Sequence, residues 1–359
     1  MNDLKAGGVQ KRTLRLISGI LKFSKAFNLT LIVNEKEGDL FESIHENVNL
    51  IILQNRSRTT SPIKQLHHIF RNKAPDIVVT CMGQDFIKAF FANTFVKKNI
   101  KFVIIQAVPV YLPGVTFVRN VVRKITTQFF YRFADEIICV SHDVRKSLSS
   151  LGKKAKVIYN PVVEDSIGSL SSKPVTHSFF NKQNKVLISV GRLHLQKDYP
   201  TLIKAFSIAK KKFTKSPLKL MILGEGEKRK VIEEEINRYS LENDVTLLGY
   251  VANPFPYVKK ADLFVMSSLW EGLPSALIEA LALGTQVVST DCKAGPREIL
   301  ENGKFGSLVE VGDAEQLAEG ILSELEIKRN EDLLLKRGSE FSVTESVRKY
   351  ENLFLELSQ

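Results

Sequence analysis

The chain has 359 residues, of which 44% are hydrophobic and 25% charged, and a formal net charge of +12. Two domains are the default at this length, each large enough for its own core, in a composition ordinary for a soluble globular chain. Three widely separated cysteines, Cys81, Cys139 and Cys292, fit no metal spacing and favour a reducing compartment. No apolar run reaches the ~18 residues of a membrane span. The best candidate, 103–122, is interrupted by Gln106, Pro109, Pro113 and Arg119, and the polar, basic start has no signal-peptide core.

In chain order, the first half alternates apolar runs with amphipathic stretches. Strands are expected at 29–33, 48–53, 76–80, 101–106, 136–140 and 156–159, and helices at 11–27, 63–72, 86–98, 117–133 and 141–151. Ser141 is the expected N-cap of the last helix. Residues 162–184 are rich in Ser, Lys and Pro, lack periodicity and read as a linker. A second alternation follows, with strands at 185–190, 218–223, 245–248, 263–266, 286–289 and 306–309. Its helices are expected at 200–212, 227–239, 254–260, 275–282, 296–300 and 313–327. The tail places Val343, Val347, Tyr350, Leu353, Phe354 and Leu357 at helical spacing. This alternation is the pattern of parallel sheets covered on both faces, hence an α/β chain of two Rossmann-like units. The expected domains are 1–163, a linker at 164–184, 185–341, and a C-terminal helix at 342–359 able to pack back on the first domain.

The excess charge belongs to the first half. Residues 1–163 carry 25 Lys and Arg against 11 Asp and Glu, whereas 164–359 carry 26 against 28. A basic domain attracts phosphate-rich partners, among them an anionic membrane surface or a lipid-linked diphosphate. Nucleic acid is disfavoured as a partner, since no recognised module and no aromatic–basic alternation is visible. Phe117, Val118, Val121, Val122, Ile125, Phe129 and Phe133 are interleaved with Arg119, Arg123, Lys124 and Arg132. A helix facing the core is the expected arrangement; a helix lying on an anionic membrane is the alternative.

Chemistry-bearing residues crowd the second half. Glu271-Gly272-Leu273-Pro274-Ser275-Ala276-Leu277-Ile278-Glu279 joins an apolar strand to a helix. Carboxylates there can accept hydrogen bonds from sugar hydroxyls, and the free N–H groups of the helix start can hold a phosphate. Gly191-Arg192-Leu193-His194-Leu195-Gln196-Lys197-Asp198 follows another strand, at the end where ligands bind in open α/β sheets. Arg192 and Lys197 can grip one diphosphate, the first as a fork and the second as a point charge. Gly224-Glu225-Gly226 allows close approach of backbone to ligand. No Gly-x-Gly-x-x-Gly follows a strand, which argues against a dinucleotide oxidoreductase. Asp-x-Asp and His–Cys clusters are absent. No metal and no cofactor is therefore expected, and the diphosphate charge falls to Arg192, Lys197 and the helix start at Ser275-Ala276.

Together with Ala280-Leu281-Ala282-Leu283-Gly284, Leu248-Gly249-Tyr250-Val251, Ala261-Asp262-Leu263-Phe264-Val265 and Gly295-Pro296-Arg297-Glu298, these segments resemble, in order, the motifs of family-4 retaining glycosyltransferases. Ala134-Asp135-Glu136-Ile137 and Val157-Ile158-Tyr159-Asn160-Pro161 extend the likeness into the first half. The resemblance implies a GT-B fold: two Rossmann-like domains with parallel sheets facing a central cleft, acceptor on the first and nucleotide sugar on the second. It implies that Gly191, Arg192, Lys197 and Gly224 surround the diphosphate, with Gly272, Leu273, Ser275 and Ala276 completing the phosphate site. Glu279 is implied to bind the ribose, Glu271 the donor sugar near its reacting carbon, and Tyr250 and Val251 to line the base. Ala6-Gly7-Gly8 resembles the family's glycine-rich first loop, which places Gly7 and Gly8 at the donor phosphates. The strand that usually precedes this loop is missing, and a disordered basic tail is the alternative.

The catalytic set implied is Glu271, Arg192 and Lys197, with Asp85 on the acceptor side ahead of His142 and Gln106. No carboxylate nucleophile identifies itself, so attack from the leaving-group face is implied, with the phosphate site stabilising the leaving group. The expectation is a metal-independent, retaining hexosyltransferase that uses a UDP-sugar to extend a lipid-linked or other cell-envelope glycan. It would be cytoplasmic, peripheral at the membrane face. The Gly295 segment resembles relatives that use N-acetylhexosamines. Alternatives are a GT-B sugar epimerase, a soluble-acceptor transferase, and a non-catalytic nucleotide-sugar-binding subunit.

Overall fold

The computed structural model describes residues 1, 3–5, 7–53, 61–96, 98–112 and 115–359. Ala6 of the glycine-rich stretch and Pro113 of the interrupted apolar run lie outside them. The chain forms two units, Met1–Val162 with Val343–Gln359, and Val163–Ser342.

The second unit is built on β7 (Lys185–Val190), β8 (Leu218–Leu223), β9 (Val245–Gly249), β10 (Leu263–Met266), β11 (Val287–Thr290) and β12 (Ser307–Val309), following the six strands of the first unit. These pair in parallel in the order β12-β11-β10-β7-β8-β9. The chain starts in the interior at β7, proceeds to one edge, then returns to build the other half from β10. The C-terminal ends of β7 and β10 therefore flank the point where strand order reverses, which is where open α/β sheets bind ligands. Both faces of the sheet are covered, which is why its strands are near-continuous apolar runs. Leu187, Leu220, Ile222, Leu263 and Val265 are buried against Leu202 and Phe206 of the Tyr199–Lys212 helix and Leu317 and Ile321 of the Ala314–Glu326 helix.

In the first unit, β1 (Thr30–Val33) pairs with β2 (Asn49–Ile52). A second parallel sheet runs in order through β3 (Ile77–Thr80), β4 (Lys101–Gln106), β5 (Glu136–Cys139) and β6 (Lys156–Val157). The start of the chain is pinned alongside β1. The Met1 nitrogen donates to the Ile32 carbonyl at 2.9 Å, Asn34 N–H to the Met1 carbonyl at 2.9 Å, and Leu4 N–H to the Glu37 carbonyl at 2.9 Å. Leu4 is fully buried. Ser141 caps the His142–Ser147 helix, its Oγ accepting from Val144 N–H at 3.2 Å. The Val343–Ser358 helix belongs to this unit and crosses the Gly8–Phe23 helix closely. A Cβ on Gly19 would stand 2.5 Å from Val347 Cγ2, so glycine permits the approach.

Three stretches differ from expectation. Residues 164–184, expected as a linker, lie within the second unit: they carry the Ile167–Ser171 helix, and Asn253 Nδ2 donates to the Leu170 carbonyl at 2.9 Å. The Glu331–Ser339 helix was not expected, because its apolar face amounts to little more than buried Leu334. Its start is set by Asn330, whose side chain accepts from Asp332 and Leu333 N–H. The Phe117–Phe130 helix reverses the core-facing arrangement: it buries Asn120 and Thr127 and exposes Phe117, Val118, Val121, Val122, Ile125 and Phe129. Among the described residues no helix is long and apolar enough to cross a membrane.

Candidate donor-sugar site

The strand order brings the loop after β7 against the loop after β10. Lys197 Nζ donates to Glu271 Oε1 at 2.6 Å, although 73 residues separate the two in sequence. Ser268 Oγ donates to the same oxygen at 2.8 Å, and Gln196 Nε2 reaches Oε2 at 3.2 Å. Gln196 Nε2 also donates to the Trp270 carbonyl at 2.8 Å, and Ser267 Oγ to the Lys197 carbonyl at 2.7 Å. Glu271 is only 7% exposed, and its charge is met by one cation and two neutral donors. A buried carboxylate needs such partners to remain ionised. Gln196 and Ser268 stand in motif segments of the sequence without an assigned role, since neither carries charge. Their signal was position, one beside Lys197 and the other at the end of β10.

Backbone geometry holds the floor of this crevice. Gly191 N–H donates to the Leu223 carbonyl at 3.0 Å, and Gly224 N–H to the Gly249 carbonyl at 2.8 Å. Gly224 has φ +146°, and a Cβ there would meet the Gly191 carbonyl oxygen at 2.0 Å. Glycine is required on both counts. Buried Tyr199 donates from its hydroxyl to the Gly191 carbonyl at 3.0 Å. His194 Nδ1 accepts from Gln196 N–H at 3.0 Å, and its Nε2 lies 3.5 Å from Glu227. Burial, then the nearby Arg192 charge, lowers the His194 pKa. Arg192 itself is exposed.

The Ser275–Ala282 helix begins four residues after Glu271, with Pro274 as a cap that offers no side-chain hydrogen bond. The first amides of such a helix, at Ser275 and Ala276, have no intrahelical acceptor and bear the positive end of the helix dipole. Gly272 and Leu273 are buried in the turn before it, while Ser275, Ala276 and Glu279 keep partial exposure. A Cβ on Gly295 would meet Pro274 Cδ at 2.5 Å, so the Gly295 turn abuts this segment. Tyr250 is exposed and Val251 half-buried beyond the end of β9. Cys292 is buried near Glu271; burial and then that carboxylate raise its pKa and keep the thiol protonated. Among the described residues, no group of three or more His, Cys, Asp or Glu side chains gathers as a metal site.

The first unit holds the remaining candidates. Gly7 caps the Gly8–Phe23 helix, and no atom lies within 4 Å of where a Gly8 Cβ would be. Asp85 sits in the first turn of the Gly83–Ala92 helix, 3.8 Å from Lys88 Nζ. Gln106 is buried, with both ends of its amide engaged: it accepts from Tyr131 Oη at 2.6 Å and donates to the Val108 carbonyl at 2.6 Å. His142 starts its helix with its ring against Tyr159.

The profile of glycosyl transferases group 1 matches residues 176–338, and that of glycosyltransferase family 4 matches residues 6–166. The chain belongs to the family-4 GT-B glycosyltransferases. An uncharacterized glycosyltransferase of Methanocaldococcus jannaschii is 37% identical over 246 residues, 65% of this chain and 59% of that protein. N-acetylgalactosamine-N,N'-diacetylbacillosaminyl-diphospho-undecaprenol 4-alpha-N-acetylgalactosaminyltransferase of Campylobacter jejuni is 33% identical over 60% of this chain and 58% of its own length. This family-4 chain thus spans less than two thirds of those curated relatives. Its fold is like that of Anabaena HepE, solved in complex with UDP and glucose, with a TM-score of 0.77 over 99% of this chain and 97% of that one. At 17% identity that likeness is one of fold.

Proposed function

We propose that this chain transfers a hexosyl unit from a UDP-sugar, an N-acetylhexosamine, to a lipid-linked or other cell-envelope glycan at the cytoplasmic membrane face, with retention at the anomeric carbon. The observation that carries the reading is the Lys197–Glu271 pair at the point of strand reversal, four residues before an uncapped helix start. A carboxylate has roughly four lone-pair positions. Three donors occupy Glu271, two on Oε1 and one on Oε2, which leaves Oε2 able to accept from a sugar hydroxyl. Lys197 has three N–H bonds and spends one on Glu271, so the same ammonium can also face a phosphate oxygen. With Arg192 and the amides of Ser275 and Ala276, it would stabilise the charge that grows on the departing diphosphate. The bond from the anomeric carbon to phosphate breaks as the bond to the acceptor oxygen forms on the same face, and the leaving phosphate oxygen takes the acceptor proton. Glu279, half-exposed on the same helix, is assigned to the ribose hydroxyls, and Asp85 to the acceptor.

The names of relatives support the substrate classes: the Campylobacter protein acts on a diphospho-undecaprenol glycan, and HepE was solved with UDP. The test offers purified chain radiolabelled UDP-N-acetylglucosamine and UDP-N-acetylgalactosamine with undecaprenyl-diphosphate-linked glycans. Transfer with an α-linkage from the α-linked donor, unchanged by EDTA, is expected. Hydrolysis or epimerisation of the donor without an acceptor, or binding without turnover of any acceptor, would reject the reading.

A further inference from the structure

The Phe117–Phe130 helix is built inside out. Its inward face is polar. Asn120 is 2% exposed and tied at Oδ1 to Leu112 N–H (3.0 Å) and through Nδ2 to the Leu112 and Val115 carbonyls (3.0 and 3.1 Å). Thr127, two turns further on, is buried on the same face. Its outward face is apolar: Phe117 is 74% exposed, Val118 69% and Ile125 62%. At about 100° per residue, Phe117, Val118, Val121, Val122, Ile125 and Phe129 fall in one stripe roughly 140° wide that also takes in Gln128, with Lys124 about 20° beyond one edge and Arg119 about 60° beyond the other. A helix at the surface of a water-soluble domain places these faces the other way round.

A second element extends the patch. Phe91, on the neighbouring Gly83–Ala92 helix, is exposed, and its ring lies 6.0 Å from that of Phe130. Phe95, beyond the end of that helix, is 94% exposed and holds φ at +69°. A bulky residue rarely adopts that backbone conformation.

We propose that this face docks on an anionic lipid bilayer, with the stripe seated among the acyl chains and the flanking cations at the headgroups. Charge complementarity selects this occupant. The helix and the turn after it, residues 117 to 133, hold four Lys and Arg and no Asp or Glu. A second copy of the chain would bring the same cations face to face, whereas an anionic bilayer satisfies both the stripe and its charged borders. The inference stands apart from the donor reading, because docking is read without nucleotide or acceptor.

The test is flotation of the full chain with vesicles of phosphatidylglycerol and phosphatidylcholine, and with phosphatidylcholine alone. The wild type is expected to float with the anionic vesicles, and to release as salt is raised. A Val118→Asp/Ile125→Asp variant is expected to partition about tenfold less, since the stripe is lost while the cations remain, with Tm and UDP binding unchanged. In a Phe117→Trp variant, emission is expected to shift to the blue on adding anionic vesicles. Wild type left unbound, or an aspartate variant that floats equally, would overturn the proposal. So would a dimer that the aspartates dissociate in the absence of flotation, because it would assign the face to a second copy.

Discussion

The Ser275–Ala282 and Phe117–Phe130 helices are both amphipathic, and they face opposite ways. The first buries Leu277, Ile278, Ala280 and Leu281 and leaves Ser275, Ala276 and Glu279 partly exposed beside the candidate donor-sugar site. The second buries Asn120 and Thr127 and exposes its phenylalanines and valines. Periodicity is the same device in both: it sorts side chains to two faces and leaves the surroundings to decide which face turns inward. On the proposed readings, the outward face of one helix meets a polar, anionic small molecule, and that of the other an apolar layer with negative borders.

Substitution at the paired charges strikes the first region hardest. Glu271→Ala and Lys197→Met are each expected to lower kcat/KM by at least about 100-fold, because the first removes the acceptor for the donor sugar together with the partner that orients Lys197, and the second removes the positive charge placed for the leaving group. Steady-state kinetics on the transfer reaction reads this. The double variant should cost little more than either single one, since the two act as a pair. A fully additive loss would separate them.

The second region is tested from inside its helix. Asn120→Leu gives the inward face the apolar side chain such a face ordinarily carries, yet it leaves one amide and two carbonyls without their partner. A loss of about 2–3 kcal/mol in urea unfolding is expected. Phe117→Ser on the outward face should change stability by no more than about 0.5 kcal/mol. The reverse ranking would show that the stripe is a structural face after all.

Glu279→Ala is milder. Removing an acceptor for the ribose should raise KM for the UDP-sugar about tenfold with kcat nearly unchanged. An equal fall in kcat would move Glu279 into the chemistry.

The smallest effect expected is with pH. The His194 pKa is lowered in the folded chain, so the native state binds this proton less readily than the unfolded state does. Its contribution to stability is complete above the ordinary value near 6.5 and is lost as pH falls through the lowered folded value. Thermal unfolding between neutral pH and about pH 5 should show a slight loss that His194→Asn removes.

Much of the second unit was legible because its strands are unbroken apolar runs. The strands at 185–190, 218–223 and 263–266 and the helix at 275–282 fall at the expected bounds. The meeting of Lys197 with Glu271 was not legible residue by residue, since it depends on β10 pairing with β7 rather than continuing beyond β9. Gln196 and Ser268 were hidden for the same reason: a neutral side chain gains its meaning from what lies opposite. The stripe from Phe117 to Phe129 was visible as a pattern, but its direction was not. That direction goes with Asn120, whose side chain satisfies the backbone groups of Leu112 and Val115 just before the helix. The tail likewise showed its helical spacing, while its packing at Gly19 depends on a glycine more than 300 residues earlier.

The central claim is that the end of the second sheet holds a UDP-sugar. Calorimetric titration of UDP into wild type, Lys197→Met and Glu279→Ala tests it most directly. The account predicts saturable binding of one UDP per chain by the wild type, weakened at least about tenfold in each variant. No binding of UDP or any other nucleoside diphosphate by the wild type, or equal binding by all three proteins, would contradict it.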